Sequence, residues 1–337
     1  MSSRRAVPWR VRLVVSVGFG QLAAFITYMH AVMDPDASDV ALILRGTRAV
    51  LDGQDPYLVI PGLTYPLPGL LAMLPWGIAP EPTSSVIFMF ASAAVFAWAL
   101  MANGYASLIG FFSPGMLFAA QVGQWSPLFA GAFAIAPLGV FFIVKPHVGF
   151  AMFLARPTWW AASGAVACIA FAFVLQPTWL QDWRASLALA GAHVGDGSGK
   201  FPYTAPVMLP GGILVLAAFS RWRRPEARLL VALACVPQSL HLYEIVPLAL
   251  VPLGWMQSMV YFAGGHLVWW VLLETRPWPW LPDYLLASGT LYTLLVFLPL
   301  TAMVLRRPND GDVPVWLERR IRDWPEWLRG SSSAAKI

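Results

Sequence analysis

Residues 84–102 read SSVIFMFASAAVFAWALMA and contain no lysine, arginine, aspartate or glutamate. An uninterrupted apolar run of this length is long enough to cross the hydrocarbon core of a bilayer as one α-helix. It lacks the strict alternation of apolar and polar residues that a strand of a membrane β-barrel requires. This stretch therefore predicts an all-α membrane protein.

The rest of the chain has the same character. Of its 337 residues, 58% are hydrophobic and 12% are charged, whereas a soluble domain has about 25% charged residues. So little charge cannot cover a water-facing surface, which excludes a soluble globular protein. The length and the further apolar segments predict a polytopic protein with roughly 8–11 transmembrane helices. These segments are 13–33, 66–80, 105–120, 126–144, 147–155, 158–175, 206–219, 229–251, 254–273 and 284–305.

Several of these segments are too short to cross a bilayer, and prolines at positions 114, 127, 137 and 146 interrupt them. Non-helical backbone at membrane depth is tolerated only where protein or a water-filled cavity surrounds it. We therefore predict broken or re-entrant segments, with a cavity near residues 123–146.

The positive charges predict the topology. The formal net charge is +5, and arginines cluster at 4–12, 221–228 and 306–307, next to apolar runs. The positive-inside rule places these three clusters in the cytoplasm, and their position at membrane edges does not favour nucleic-acid binding. We expect a bacterial-type plasma (inner) membrane protein with cytoplasmic N- and C-termini. Residues 1–312 would form one polytopic domain with outer loops at 34–65 and 176–206, and 313–337 a cytoplasmic interfacial tail.

The first outer loop contains a segment with helical spacing. Val40, Ile43 and Leu44 fall on one stripe, and Gly53 stands where a helix would end. This pattern predicts an amphipathic surface helix. Ser38 and Asp39 both stand where an N-cap belongs. The Asp39 carboxylate is equally suited to act as a general base, and spacing alone leaves both interpretations open.

Ionisable residues inside apolar segments need a reason, because each costs about 2.5–3.5 kcal/mol on membrane insertion. Lys145 lies between 141-FFIV-144 and Pro146-His147. Lys145 and His147 together would form a cationic site for a phosphate. The alternative is that Lys145 extends from a helix end to the lipid headgroups.

Two further polar groups lie in apolar surroundings. The side chains of 241-HLYE-244 could orient a sugar or a phosphate, although aromatic residues with a histidine are also common at membrane interfaces. The segment 123-GQWS-126 is a third polar group and a weaker signal.

The stretch 39-DVALILRGTRAVLDGQDPY-57 resembles the first outer loop of glycosyltransferase family 87. Later motifs of that family have similar counterparts here in the same order: 65-YPLP-68, Gly123-Gln124, 144-VKP-146 and 239-SLHLY-243. The chain departs from the family pattern at Val40, where an aromatic residue is usual, and at Leu242, which is inserted between the histidine and the tyrosine.

The resemblance implies a type C fold and an activity. Members of the family are polytopic enzymes that transfer a sugar, most often mannose, from a polyprenyl phosphate to an acceptor hydroxyl. Transfer inverts the anomeric carbon, so that a beta-linked donor gives an alpha-linked product. The resemblance makes Asp39 the catalytic base, with Asp36 as a substitute. The residues expected to bind the donor phosphate and the substrates are Lys145, His147, Arg45, Arg48, Tyr57, Tyr65, Gln124, His241, Tyr243 and Glu244.

The expected partners are the polyprenyl-phosphate sugar donor, a glycolipid or polysaccharide acceptor, and membrane lipids. Neither nucleic acid nor a cofactor is expected, because the lipid phosphate itself activates the sugar. A divalent metal would need converging carboxylates. Asp34, Asp36 and Asp39 are close in sequence, but we predict no metal site.

Two alternatives from other classes remain. A carrier or flippase for a lipid-linked or anionic solute would use Lys145 and His241 at a broken-helix site. A non-catalytic subunit of a membrane complex would not depend on Asp39 or Lys145. The polar residues gather at loop junctions on one face, which favours the enzyme.

Overall fold

The computed structural model describes residues 7–34, 38–194, 204–238, 241–275, 281–311, 313, 315–322 and 324–330. These residues form helices and connecting segments and no β-strand, and Thr204 and Gln238 form an isolated β-bridge. The prediction of an all-α protein is therefore confirmed.

The helices vary widely in length. The α-helices, in chain order, are α1 Trp9–Met33, α2 Asp39–Leu51, α3 Pro56–Val59, α4 Leu67–Ala72, α5 Leu74–Gly77, α6 Thr83–Leu100, α7 Pro114–Val122, α8 Ser126–Ala132, α9 Pro146–Ala155, α10 Trp159–Leu175, α11 Trp179–Val194, α12 Pro225–Cys235, α13 His241–Glu244, α14 Trp255–Glu274, α15 Leu281–Tyr292, α16 Leu298–Leu305, α17 Val315–Arg320 and α18 Glu326–Arg329. Between them lie 3-10 helices at Met101–Asn103, Tyr105–Phe112, Ala136–Val144, Pro206–Met208, Gly212–Arg221 and Val246–Leu250, and a π-helix at Thr293–Phe297.

Three helical stretches of the described chain are long and apolar enough to cross a membrane: Trp9–Met33, Thr83–Asn103 and Asp283–Leu305. Two further pairs of helices, Tyr105–Phe112 with Pro114–Val122 and Trp159–Leu175 with Trp179–Gly191, bend by 60° and 95°. Such lengths and compositions are those of an integral membrane protein, and the predicted broken segments are confirmed. The number of complete spans stays a prediction.

Contacts of α1 define the direction of the first helices. Near the start of α1, the Arg12 guanidinium donates to the Trp98 carbonyl, 2.5 Å away, at the end of α6. Further along α1, a β-carbon at Gly20 would lie 2.8 Å from the Phe90 carbonyl, nearer the start of α6. Therefore α1 and α6 are antiparallel. Beyond that point, the Thr27 hydroxyl donates to the Ala120 carbonyl, 2.6 Å away, near the end of α7. The C-terminal end of α1 lies on the same side of the bundle as the start of α2, and we call this side the Asp39 end. We call the opposite side the Arg307 end.

Helix α2 forms as the sequence predicts. The Ser38 hydroxyl accepts a hydrogen bond from the Ala41 amide at 3.3 Å, and Gly53, just after the helix, has a φ of 69°. The buried side of α2 packs on α4 and α5, and a β-carbon at Gly77 would lie only 2.8 Å from Thr47 Cγ2. Because Ser38 is the N-cap, the capping alternative for Asp39 is wrong.

Helix α11 covers the segment between α3 and α4. After the bend, α11 binds the backbone of the first loop, because the Trp183 indole donates to the Thr64 carbonyl at 2.9 Å and the Ser186 hydroxyl to the Leu63 carbonyl at 3.0 Å. This contact fixes the segment that carries Tyr57 and Tyr65.

The tail is bound to the Arg307 end. Arg223 pairs with Glu318 of α17 at 2.8 Å, and Trp222 contacts Trp324 edge-on, with ring centroids 6.1 Å apart. The described part of the predicted interfacial tail is thus two short helices packed against the bundle.

Candidate functional site

The first residue of α2 places its carboxylate next to the junction between α7 and α8. The Gln124 side-chain amide donates a hydrogen bond to Asp39 Oδ2. Gln124 can approach because Gly123 adopts a left-handed conformation, with a φ of 73°. A β-carbon at Gly123 would lie 2.4 Å from Val40 Cγ1. The weak Gly-Gln signal in the sequence therefore marks the residue that holds Asp39.

Three charged or ionisable side chains meet at a second junction, between the 3-10 helix Ala136–Val144 and α9. The Lys145 ammonium lies 2.6 Å from Glu244 Oε1, and His147 Nε2 lies 3.3 Å from the same oxygen. The Glu244 side chain is completely buried. Lys145 and His147 thus lie together as the sequence predicts, and both contact the carboxylate of Glu244. Their role in binding a phosphate stays a prediction.

An aromatic ring contacts Lys145 from another direction. Lys145 Nζ lies 4.7 Å from the centroid of the Tyr243 ring, a distance at which a cation is attracted to an aromatic face. The Tyr243 ring in turn stacks on Phe118 of α7, with centroids 6.0 Å apart and planes 2° from parallel. Adjacent residues of α13 therefore hold one ammonium, Tyr243 through its ring and Glu244 through its carboxylate.

The two junctions form one electrostatic site. Burial raises the pKa of Asp39, the positive charge of Lys145 opposes that rise, and the negative charge of Glu244 adds to it. Burial also raises the pKa of Tyr65, whose hydroxyl lies within range of both Asp39 and Lys145. We call these side chains the Asp39–Lys145 cluster: Asp39, Tyr65, Gln124, Lys145, His147, Tyr243 and Glu244.

Arg48 makes its contacts elsewhere. Its guanidinium donates to the carbonyls of Gly77 at 3.2 Å and Ala79 at 2.6 Å, and it lies 3.6 Å from Glu81. These contacts join α2 to the turn before α6, so Arg48 is not brought to the cluster and a structural role accounts for it. Arg45 is exposed on α2, and its phosphate role stays a prediction.

Two other predicted residues support the cluster from outside. The Tyr57 hydroxyl donates to the Tyr65 carbonyl at 3.2 Å, which fixes the backbone that carries Tyr65. His241 is buried at the start of α13 and faces α15, where a β-carbon at Gly289 would lie 2.6 Å from its Cε1. His241 therefore packs against α15, one turn before Glu244 on the same helix. Asp36, the substitute base, lies outside the described residues.

Sequence reasoning gave no role to Phe118 or Trp125. Phe118 supports the Tyr243 ring, and Trp125 is fully buried beside Gln124. Within the described chain, Gln124 Oε1 is buried without a hydrogen-bond partner, whereas the Trp125 side chain faces the Tyr65 hydroxyl. Buried polar atoms are nearly always paired, so Gln124 Oε1 marks a place suited to a polar ligand. The only sequence signal for Trp125 was its place in the weak polar group 123-GQWS-126.

Among the described residues, no group of three or more histidine, cysteine, aspartate and glutamate side chains could hold a metal ion. No protein-family model, curated protein or solved structure matches the chain.

Proposed function

We propose that the protein is a type C membrane glycosyltransferase similar to glycosyltransferase family 87. It transfers a sugar, with mannose as the first to test, from a polyprenyl-phosphate donor to a hydroxyl of a glycolipid or polysaccharide at the outer face of the membrane. The observation that carries the proposal is that α7 links the two groups: Gln124, just after α7, donates to Asp39, and Phe118 of α7 stacks on the Tyr243 ring that Lys145 faces. Motifs far apart in sequence thereby supply a base and a cation to one site.

These two groups fit the chemistry of an inverting transfer. The acceptor hydroxyl loses its proton to Asp39 while its oxygen forms a bond to the anomeric carbon of the sugar. The bond from that carbon to the phosphate oxygen breaks, and the lipid phosphate leaves with the electron pair. Lys145 neutralises the charge that develops on the phosphate. A positioned base and a positioned cation are the two main sources of rate enhancement for such a step.

The state of Asp39 supports its role as a base. Burial raises its pKa, which makes the carboxylate a stronger proton acceptor than an exposed aspartate once it is ionised. Perturbed carboxylates of this kind are concentrated at functional sites. Gln124 donates to Asp39 and leaves its own Oε1 without a hydrogen-bond partner, and a sugar hydroxyl is a suitable donor to that oxygen.

The test compares variants of two aspartates at opposite ends of α2, since Asp39 is its first residue and Asp52 follows its last. Membranes that contain the wild type, Asp39→Asn or Asp52→Asn are incubated with radiolabelled polyprenyl-phosphate-mannose, and the lipids are extracted and separated. We expect a new labelled product from the wild type and from Asp52→Asn, because Asp52 is exposed at the other end of α2. Asp39→Asn should lower the rate by about 10²–10⁴-fold, the usual contribution of a general base.

Size-exclusion chromatography of each purified variant checks that it is folded. A folded wild type that makes no Asp39-dependent product from several lipid-linked sugars would contradict the proposal. Movement of the intact labelled lipid between the leaflets of a vesicle would then favour a carrier or flippase. Absence of both activities would favour a non-catalytic subunit of a membrane complex.

A further inference from the structure

One carboxylate of the cluster has no part in the transfer described above. Glu244 is fully buried and carries the same sign of charge as the donor phosphate, so it is neither a suitable phosphate ligand nor the base next to Gln124. Burying a charge costs on the order of several kcal/mol unless the charge is well paired. Its presence at the centre of the site therefore needs an explanation.

The contacts of Glu244 indicate what it does. A single oxygen, Oε1, lies 2.6 Å from Lys145 Nζ and 3.3 Å from His147 Nε2, so one atom fixes two side chains of the same turn. A lysine ammonium has three hydrogen-bond donors. Lys145 can therefore keep its contact with Glu244 and still turn other donors to a phosphate.

The element that carries Glu244 is itself held rigidly. A β-carbon at Gly115 of α7 would lie 2.1 Å from the Leu242 carbonyl, so α7 and α13 are in direct backbone contact. The Phe118 ring stacks on Tyr243 at the same contact. A long, flexible lysine placed by such a support has less freedom than one that extends into an open site.

We propose that Glu244 is a positioning residue, which holds the Lys145 ammonium where the leaving phosphate develops charge and keeps its contact with His147 throughout transfer. This inference rests on the proposed function. It predicts a separation of two kinetic constants. Without Glu244 the site loses a negative charge, so an anionic donor binds no more weakly. The ammonium is no longer held in place, so the chemical step slows.

The experiment measures kcat and the donor KM for purified protein in nanodiscs, per folded molecule, with polyprenyl-phosphate-mannose as the probe. The variants are Glu244→Gln and Glu244→Asp. The matched control is Glu226→Gln, which removes a carboxylate paired with Arg307 at 2.9 Å and Arg224 at 3.2 Å at the other end of the bundle. We expect Glu244→Gln to lower kcat by about 10–100-fold, the scale of a small misplacement of a reacting group. The donor KM should not rise, Glu244→Asp should recover part of kcat, and Glu226→Gln should keep both constants.

The outcomes separate the inference from the proposed function. A wild type without transferase activity overturns both. An active wild type with wild-type kcat in Glu244→Gln, or with a raised donor KM and unchanged kcat, overturns the positioning role alone. If Glu244→Gln yields no folded protein, Glu244→Asp decides. A lowered kcat without a rise in KM supports the role, and a wild-type kcat overturns it.

Discussion

The two ends of the helical bundle both bury charged side chains, but they differ in how these are paired. At the Arg307 end, the Arg223 guanidinium donates to both oxygens of Glu318 and to the carbonyls of Gly311 and Arg329. Arg307 donates to Glu226, Gln257 and the Val251 carbonyl. At the Asp39 end, one carboxylate oxygen of Glu244 serves both Lys145 and His147.

The choice of cation explains the difference. The planar guanidinium of arginine has five donors in a fixed geometry and can bind several carbonyls at once, whereas lysine is a point charge on a flexible chain. Arginines join the ends of helices at the Arg307 end, where backbone carbonyls lack helical partners. Lysine at the Asp39 end keeps donors that the proposed function assigns to the donor phosphate. The comparison teaches that a guanidinium joins several helix ends at once, whereas the ammonium at the other end has fewer partners within the described chain.

The largest effect should come from separating Lys145 from Glu244. We expect Lys145→Gln to lower the free energy of unfolding by about 3–5 kcal/mol, because it leaves Glu244 buried without its main partner. The double variant Lys145→Gln, Glu244→Gln removes both charges and should recover most of that loss. The measurement is denaturant unfolding of purified protein in detergent micelles. Additive losses in the double variant would show that the two residues do not depend on each other.

At the Arg307 end, Arg223→Lys tests whether pairing there is purely structural. A lysine cannot replace the bonds to Glu318, Gly311 and Arg329 together, and losing hydrogen bonds to a charged group costs about 1.5–3 kcal/mol each. We expect lower stability and an unchanged transfer rate per folded molecule. The control, Arg320→Lys, changes an exposed arginine of α17 and should stay within about 0.5 kcal/mol of the wild type. A slower transfer by folded Arg223→Lys would contradict a purely structural role for the charged residues at the Arg307 end.

The difference between the ends was only partly predictable from the sequence. Helix α2 followed from local signals, since Ser38 caps it and Gly53 follows its end. The pairing of His147 with Glu244 joins residues 97 positions apart, and no local pattern encodes it. The contacts of Arg48 were not predictable for a related reason. Its partners are carbonyls of a turn about thirty residues later, and sequence does not show where a short helix leaves its carbonyls unpaired.

A smaller effect is expected in the pH dependence of transfer. Asp39 acts as a base only when ionised, and burial raises its pKa, with Lys145 opposing and Glu244 adding to the rise. The acid limb of the rate should therefore lie above about pH 3.9, the ordinary pKa of an aspartate. Glu244→Gln removes a negative charge and should move that limb to lower pH. Tyr65 and Gln124, which also face Asp39, are unchanged in this variant. A limb that moves upward would contradict the electrostatic coupling.

The raised pKa of Asp39 also predicts how the stability of the protein changes with pH. Because the pKa of Asp39 is raised on folding, the folded protein holds this proton more tightly than the unfolded chain does. The stabilisation that comes from this tighter proton binding is present below the ordinary pKa of an aspartate. It is lost as the pH rises through the raised pKa of Asp39. At neutral pH, Asp39→Asn should therefore stabilise the protein or leave its stability unchanged, while it removes transfer.

The smallest effect is expected at the start of α2, where the contacts of the adjacent residues Ser38 and Asp39 can be compared. The Ser38 hydroxyl accepts from the Ala41 amide at 3.3 Å and donates to the Val122 carbonyl at 3.4 Å, whereas Asp39 accepts from Gln124. Ser38→Ala should lower the free energy of unfolding by about 1 kcal/mol, the usual cost of a lost N-cap. Ser38→Thr should keep most of the stability, because threonine also caps. Since Gln124 holds Asp39 independently of that hydroxyl, folded Ser38→Ala should transfer sugar at the wild-type rate. A loss of transfer with unchanged stability would mean that the cap takes part in the chemistry, and the separation of structure from function at the Asp39 end would have to be drawn elsewhere.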